Sequence, residues 1–440
     1  MRKWAPARTD AAFMSGLHHS VYNLLVRVVQ PLLRRKLARR AVAEPGYGVA
    51  IEERVGVYAQ PTEPRSELVW VHAVSLGESR AAGVLLAALR EAMPGVRVLL
   101  THGTATGRAE GVRYLHEGDV QVWQPWDTPA AVQAFLQHFK PRVGLLMETE
   151  VWPNLVWQAQ RAGVPLALVN ARMSEKSLQS ALKWAGLMRP VFARLTAVWA
   201  QTDADAQRLQ QLGAKVQAVT GNLKFDAQPD AAQVAQANVW RERMPRPVVM
   251  LASSREGEEA LWLEAVKAQA SGGVQVLIVP RHPQRVDEVE LALQKAGHLV
   301  SRRSQWGDAG PTAVDSPTVW LGDSLGEMAL YYSLADVALL GGSFAPLGGQ
   351  NLIEAAACGC PVLMGPHTFN FAEVAEQALA TGAAWRCADM QGAWQQALQW
   401  TAPEQAPALV STKEKARVFA RAHQGAAAKT AALVRGLLAQ

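Results

Sequence analysis

The sequence predicts an α/β protein built from two doubly wound domains, and three observations lead to this prediction. Short apolar runs alternate with helical stretches from Leu68 to Val219. Around residues 228–247 this pattern breaks into a polar stretch, rich in Ala and Gln, that contains three prolines. The alternation then restarts at Val248. Alternation at this period is typical of a parallel sheet covered by helices, and its interruption indicates a domain boundary.

Composition excludes several kinds of protein. Hydrophobic residues make up 49% of the 440 residues and charged residues 19%, which is ordinary for a folded globular chain. Three cysteines (Cys358, Cys360 and Cys387) form no disulfide framework, and the single residue between the first two is the wrong spacing for a zinc site. No His/Cys cluster has the spacing of metal ligands, so we expect neither a metal nor a cofactor.

The net charge of +6 belongs to the N-terminal tail. Residues 1–40 contain nine Lys or Arg and one acidic residue, so the other 400 residues carry 35 basic and 37 acidic residues. The high pI therefore does not indicate a body that binds nucleic acid, and we expect no nucleic-acid partner.

Residues 1–45 form a separate apolar and basic segment. The apolar run Val21–Leu33 is followed by a cluster of cations at 34–40. The run is interrupted by Arg27 and is shorter than the roughly 20 residues that span a bilayer. The pattern favours a helix that lies on, or dips into, an anionic membrane surface. The alternative is a helix packed on the protein's own body.

The remaining chain divides into a first domain at residues 46–226, a junction at 227–246 and a second domain at 247–440. Strands of the first domain are predicted at Leu68–Val74, Val96–Leu100, Val120–Trp123, Val143–Met147 and Leu166–Val169, with Val198–Ala200 and Val216–Val219 closing it. Strands of the second are predicted at Val248–Ala252, Val274–Val279, Val337–Leu340 and Pro361–Met364. The chain ends in an Ala-rich helix that can pack back on the first domain.

A Gly-rich loop follows the strand Val337–Leu340. Its glycines are Gly341, Gly342, Gly348 and Gly349, and a helix is predicted over Asn351–Cys358. Such a loop lets backbone N–H groups approach a phosphate, and Glu354 is placed to bind the hydroxyls of a ribose. The spacing is not G-x-G-x-x-G, so NAD is not favoured. An ordinary βαβ crossover, with glycines used only for tight turns, is the alternative.

Ligands of doubly wound sheets bind beyond the carboxyl ends of the strands, so the residues that follow each strand are the site candidates. Glu78 follows the first strand at a helix start, where it is either a general base or only a helix cap. Glu148 and Glu150 follow a later strand and share a face of the extended segment. They either position an acceptor or form a simple ion pair with Arg172. Because the two domains are expected to face each other, these groups would line a cleft between them.

The second domain offers cations and hydroxyls at the same positions. Ser253 and Arg255 follow one strand, and Arg281 and His282 follow the next. An Arg side chain grips phosphate or carboxylate with two parallel hydrogen bonds. These residues therefore predict a binding site for an anionic donor.

The motifs taken together resemble the 3-deoxy-D-manno-octulosonic acid (Kdo) transferases. In chain order the matching stretches are His72–Glu78 (HAVSLGE), Glu148–Asn154 (ETEVWPN), Asn170–Ser177 (NARMSEKS), Gly221–Asp226 (GNLKFD), Ser253–Glu259 (SSREGEE), Val279–Arg285 (VPRHPQR), Gly341–Asn351 and Met364–Phe371 (MGPHTFNF). They cover nearly the whole chain. One departure is Gln350, at a position where this family usually has His.

The resemblance implies the GT-B glycosyltransferase fold, with two Rossmann-like domains facing across a cleft and an N-terminal membrane-associated helix. It implies a metal-independent, inverting transfer of Kdo from CMP-Kdo to a lipid A precursor (lipid IVA), at the cytoplasmic face of the inner membrane. The alternatives are a GT-B transferase or epimerase that uses another nucleotide sugar, and a non-catalytic membrane-docking scaffold.

The resemblance also assigns roles to the candidate residues. Glu78 is implied as the general base and Glu148 as a second essential acid. Arg172 and Lys224 are implied on the acceptor side or at the sugar carboxylate. The residues implied on the donor side are Ser253, Arg255, Arg281, His282, Gly341, Gly342, Ser343, Gly348, Gly349, Asn351 and Glu354.

Overall fold

The computed structural model describes residues 8–62, 68–269, 273–311 and 318–439. The chain forms two compact units. Unit 1 contains the residues up to Asp226 together with those from Gln424 onward, and unit 2 contains Ala227–His423. The predicted fold class of two doubly wound α/β units is confirmed.

Unit 1 is built on a parallel sheet in which the described strands follow the order β3-β2-β1-β4-β5-β6-β7. The strands are β1 (Leu68–His72), β2 (Arg97–His102), β3 (Val120–Trp123), β4 (Val143–Met147), β5 (Leu166–Ala171), β6 (Ala197–Ala200) and β7 (Val216–Val219). The order reverses between β1 and β4, which are direct neighbours. Ligands bind at such a reversal, so the carboxyl ends of β1 and β4 are where a site is expected.

Helices cover both faces of this sheet. In chain order they are α1 (Arg8–Ala43), α2 (Leu76–Ala92), α3 (Ala105–Gly111), α4 (Pro129–Phe139), α5 (Pro153–Ala162), α6 (Glu175–Leu182), α7 (Ala185–Ala193) and α8 (Asp203–Gln211). Strands β1, β4 and β5 are buried along their whole length. Burial on both faces is why their sequences are continuous apolar runs instead of alternating ones.

Unit 2 repeats this plan, and its described strands follow the order β10-β11-β9-β8-β12-β13-β14. They are β8 (Val248–Ser254), β9 (Gln275–Pro280), β10 (Leu299–Arg302), β11 (Thr318–Leu321), β12 (Val337–Leu340), β13 (Val362–Met364) and β14 (Ala384–Arg386). The helices are α9 (Ala231–Arg241), α10 (Glu258–Ala268), α11 (Val286–Lys295), α12 (Met328–Leu334), α13 (Ile353–Ala357), α14 (Ala372–Ala380), α15 (Met390–Trp400) and α16 (Ala406–Ala422). The sheet reverses between β8 and β12, which pair directly.

The segment 227–246, interpreted from sequence as a junction, contains a helix of unit 2. Asp230 caps α9 by accepting hydrogen bonds from two backbone N–H groups, and Trp240 is buried. The indole of Trp240 donates to the carbonyl of Asp308. The polar composition of this stretch concealed a helix that buries one aromatic side chain.

The last helix, α17 (Ala426–Leu438), belongs to unit 1 although it follows unit 2 in sequence. It packs on α2, and Ala431 and Val434 lie in the core beside the sheet. Its start is held by the Asp226 carboxylate, which accepts hydrogen bonds from the N–H groups of Gly425 and Ala427.

One side of α1 packs on unit 1. Leu37 is buried against Tyr47 and Trp123, and the Tyr22 hydroxyl donates to Asp127 Oδ2 at 2.7 Å. Leu24, Val28 and Leu32 remain exposed. Among the described helices, none is both long enough and apolar enough to cross a membrane.

Candidate functional site

A hydrogen-bonded turn between β1 and α2 holds Glu78. Ser75 is the N-cap of α2, and its hydroxyl accepts from the Glu78 N–H. The Glu78 carboxylate accepts in return from the Val74 N–H at 2.8 Å and from the Ser75 hydroxyl at 2.9 Å. This reciprocal pairing is a capping box. It fixes a carboxylate at the carboxyl end of β1, so Glu78 does cap its helix and is also at the expected site.

The loop beneath Glu78 is held from the neighbouring strand. The Val74 carbonyl accepts from the N–H groups of Gly103 (3.1 Å) and Thr104 (3.0 Å) and from the Thr104 hydroxyl (2.9 Å). A Cβ at Gly103 would lie 2.6 Å from Val74 Cγ1, so a larger residue there would displace the Val74 side chain. Val74, whose N–H donates to Glu78, is therefore also anchored through its carbonyl.

Glu148 lies at the end of β4, the neighbour of β1. It is buried and has a φ of +54°, which is uncommon for a residue other than glycine. Its carboxylate accepts from Lys224 Nζ at 3.0 Å and lies 3.6 Å from Arg172 Nε. The structure therefore brings Glu148, Arg172 and Lys224 together at one point of unit 1.

Asn170 supports this cluster and was not selected from the sequence. Asn170 is the last residue but one of β5, has a φ of +50° and is fully buried. Its Oδ1 accepts from the Leu223 N–H at 3.1 Å. Leu223 begins the short 3₁₀ turn that carries Lys224. The position of Asn170 directly after the predicted strand Leu166–Val169 was the signal that could have identified it.

The environment of Glu78 changes its acidity. Burial raises the pKa of Glu78 from its ordinary value of 4.5 to about 7, the Val74 N–H opposes this, and the charges of Glu150 and Glu148 add to it. Burial also raises the pKa of Glu150, whose carboxylate accepts from the Trp152 indole at 2.8 Å. A carboxyl group with a pKa near the working pH is suited to general-base catalysis.

In unit 2 the Gly-rich loop closes on itself between β12 and α13. A Cβ at Gly341 would lie 2.3 Å from the Ser253 carbonyl oxygen, so glycine is required where β8 and β12 end side by side. Gly349 has a φ of +78° and donates its N–H to the Gly342 carbonyl at 2.7 Å. The Asn351 side chain accepts from the Ile353 N–H, and α13 begins at Ile353, later than predicted.

Ser343 is buried inside this loop. Its hydroxyl donates to the Leu340 carbonyl and accepts from the Gly365 N–H at 2.8 Å. The hydroxyl therefore joins the Gly-rich loop to the segment after β13, and its hydrogen bonds are made within unit 2.

The buried carboxylate of Glu258 holds the same loop. Glu258 begins α10 and accepts from the N–H groups of Gly342 (2.6 Å), Phe344 (3.0 Å) and Ala345 (3.2 Å). It also accepts from the Arg255 N–H at 2.9 Å. Glu258 lies within the stretch SSREGEE, and no role was predicted for it from the sequence.

The adjacent Glu259 connects two strand ends. It accepts from the Ser254 hydroxyl at 2.6 Å and binds Arg285 through two hydrogen bonds of 3.0 Å each. Ser254 ends β8, and Arg285 follows β9. Both partners are therefore held at the carboxyl edge of the sheet.

Cations predicted for the donor side lie at this edge too. Arg281 is exposed after β9 and donates its N–H to the Ser254 carbonyl at 3.0 Å. Burial lowers the pKa of His282, and the positive charges of Arg255 and Arg281 lower it further. Glu354 lies partly buried in the first turn of α13. The described residues contain no cluster of three or more metal-ligating side chains.

Comparison with known proteins identifies relatives of the whole chain. The family model described as 3-Deoxy-D-manno-octulosonic-acid transferase (kdotransferase) matches residues 50–227. The 3-deoxy-D-manno-octulosonic acid transferase of Bordetella pertussis is 48% identical over 427 residues, which is 93% of this chain and 97% of the relative. That of Haemophilus influenzae is 30% identical and covers 80% of this chain and 83% of its own.

A solved structure agrees with the fold. The UDP-GlcNAc 2-epimerase from Neisseria meningitidis, bound to UDP-GlcNAc, superposes with a TM-score of 0.57 and 16% identity over 85% of this chain and 100% of that one. At this identity the likeness concerns the fold alone, and the predicted GT-B architecture is confirmed.

Proposed function

The chain belongs to the 3-deoxy-D-manno-octulosonic acid (Kdo) transferase family, and from this premise we propose that it transfers Kdo from CMP-Kdo to a lipid A precursor. It is a glycosyltransferase of lipopolysaccharide biosynthesis. The observation that carries the mechanism is the Glu78 carboxyl group, whose pKa is about 7, at the switch point of the unit 1 sheet.

The reaction is a single displacement. The acceptor hydroxyl oxygen forms a bond to the anomeric carbon of Kdo, while the bond from that carbon to the CMP phosphate oxygen breaks. Glu78 takes the hydroxyl proton, and CMP leaves with the bonding electrons. Attack opposite the leaving group inverts the anomeric centre. Ionised Glu78 is the base, so its two hydrogen bonds from Val74 and Ser75 orient it without supplying a proton.

The neighbouring charges have separate roles. Burial is the main cause of the raised pKa of Glu78, and Glu148, held by Lys224 and close to Arg172, adds to it through its negative charge. In unit 2, Arg281 is exposed at the strand end where an anionic donor would be bound. Glu354 is proposed to bind the ribose of the donor.

We propose that the reaction takes place at the cytoplasmic face of the inner membrane. The proposal is supported by the exposed apolar row of α1 (Leu24, Val28 and Leu32) and by the Arg and Lys residues that follow it. Apolar side chains flanked by cations are suited to an anionic lipid surface, where a lipid acceptor is embedded.

Transfer of Kdo from CMP-Kdo to a tetraacyl lipid A precursor tests the proposal. Glu78→Gln keeps the shape of the side chain and removes the base, so we expect transfer to fall by about 10²–10⁴-fold with CMP binding retained. Glu91→Gln, the same change at an exposed position of α2, is the control and should behave as wild type.

Two outcomes would change the proposal. Full activity of Glu78→Gln would retain the transfer and assign the base to another carboxylate, Glu148 first. A folded wild-type protein that makes product only from a UDP-sugar would replace the donor.

A further inference from the structure

The Glu258 carboxylate lies where backbone N–H groups of the Gly-rich loop converge. Backbone N–H groups of a Gly-rich loop that converge on one point form an arrangement in which proteins bind phosphate. Here the anion is supplied by the chain itself, because Glu258 is wholly buried and accepts from Gly342, Phe344 and Ala345. These three N–H groups are consequently engaged before any donor binds.

Glu258 and Glu259 together join three segments that are distant in sequence. Glu258 connects the segment after β8, through the Arg255 N–H, to the loop after β12. Glu259 connects the end of β8, through Ser254, to Arg285 after β9. Every proposed donor-binding side chain of β8 and β9 lies within these segments.

We propose that Glu258 is a positioning residue for the donor: its carboxylate sets the conformation of the Gly-rich loop that receives CMP-Kdo. This role rests on the proposed function. It also limits the donor phosphate to partners other than the Gly342, Phe344 and Ala345 amides, such as the exposed Arg281.

The energetic reason is the match between acceptor and donors. A carboxylate presents two oxygens that both accept, and here they receive four N–H groups. A glutamine amide would turn an NH₂ group toward some of those donors and leave buried N–H groups without an acceptor. Each such group costs free energy, and the loop would rearrange to reduce that cost.

The test compares the steady-state kinetics of Glu258→Gln with those of wild type in full-length protein. We expect KM for CMP-Kdo to rise about 10- to 100-fold, as one or two unmade hydrogen bonds predict, while KM for the lipid acceptor stays unchanged. CMP affinity, measured by calorimetry, should fall in parallel. Glu264→Gln is the matched control, since Glu264 is exposed on the same helix and pairs only with nearby Lys267 in the described structure.

A second variant covers the case in which Glu258→Gln does not fold. Glu258→Asp keeps the charge and shortens the side chain, so we expect an intermediate rise in KM for CMP-Kdo. Unchanged KM and CMP affinity in the folded variants, or a loss of activity that follows only the fraction of folded protein, would overturn the positioning role. A folded wild type that makes no product from CMP-Kdo would overturn the proposed function itself and, with it, this role.

Discussion

Glu78 should impose a pH dependence on transfer. Its pKa is raised to about 7, so the base is protonated and inactive at lower pH. The expected rate constant for transfer falls about tenfold for each pH unit below 7 and levels off above it. A pH series of single-turnover rates from 5.5 to 8.5 measures this. A plateau that extends down to about pH 5 would contradict the raised pKa, and residual activity of Glu78→Gln should lack the inflection.

The positions of Glu78 and Glu148 could be predicted from buried apolar strands: Glu148 directly follows β4, and Glu78 lies in the first turn of the helix after β1. Glu258 also begins the helix after a buried strand, but its loop partners lie 84 to 87 residues further along the chain. Its role depends on the direct pairing of β8 with β12, which a one-dimensional pattern does not contain. Local spacing thus predicts candidate residues at strand ends more readily than it predicts the hydrogen-bond partners of a buried carboxylate in a distant loop.

Among the helices, α1 allows the membrane proposal to be tested without removing residues 1–45. Leu24, Val28 and Leu32 are spaced four apart on one side and are at least 60% exposed, whereas Leu37 packs on unit 1. Changing the three to Gln should leave thermal stability near that of wild type, because Gln is a good helix former. Binding to vesicles that contain anionic lipid should weaken by about 100-fold.

Co-sedimentation with such vesicles gives the measurement. The control is Val410→Gln with Val418→Gln, which changes exposed valines on α16, outside the proposed membrane surface. Unaltered vesicle binding by the α1 variant would remove this face of the helix from the membrane proposal.

Three described strands of unit 2, β10, β11 and β14, were not predicted from the sequence, and β11 lies inside the sheet between β10 and β9. Strands β10 and β14 have the sequences LVSR and AWR, and they form the two edges of the described unit 2 sheet. Edge strands bury less of their surface, so they need no continuous apolar run. The long buried strands at the centre of each sheet place the candidate site. Most of their ends were predicted to within one or two residues.

For the molecule as a whole, the feature with the clearest consequence for stability is that the chain returns from unit 2 to unit 1 and ends there in α17. Helix α17 adds buried side chains to a core whose other members precede it by more than 190 residues, and Val434 is fully buried there. Val434→Ala should therefore lower the free energy of unfolding of unit 1 by about 1–3 kcal/mol. The same change at the exposed Val418 of α16 should cost little.

Hydrogen exchange followed by mass spectrometry separates the two units in this experiment. In Val434→Ala, amides of β1 and α2 should exchange faster than in wild type, because α17 packs on α2 and contributes to the same core. Amides of β8 and β12, which belong to unit 2, should keep their protection. Faster exchange confined to unit 2 would mean that α17 stabilises the other unit, contrary to the packing of its buried face.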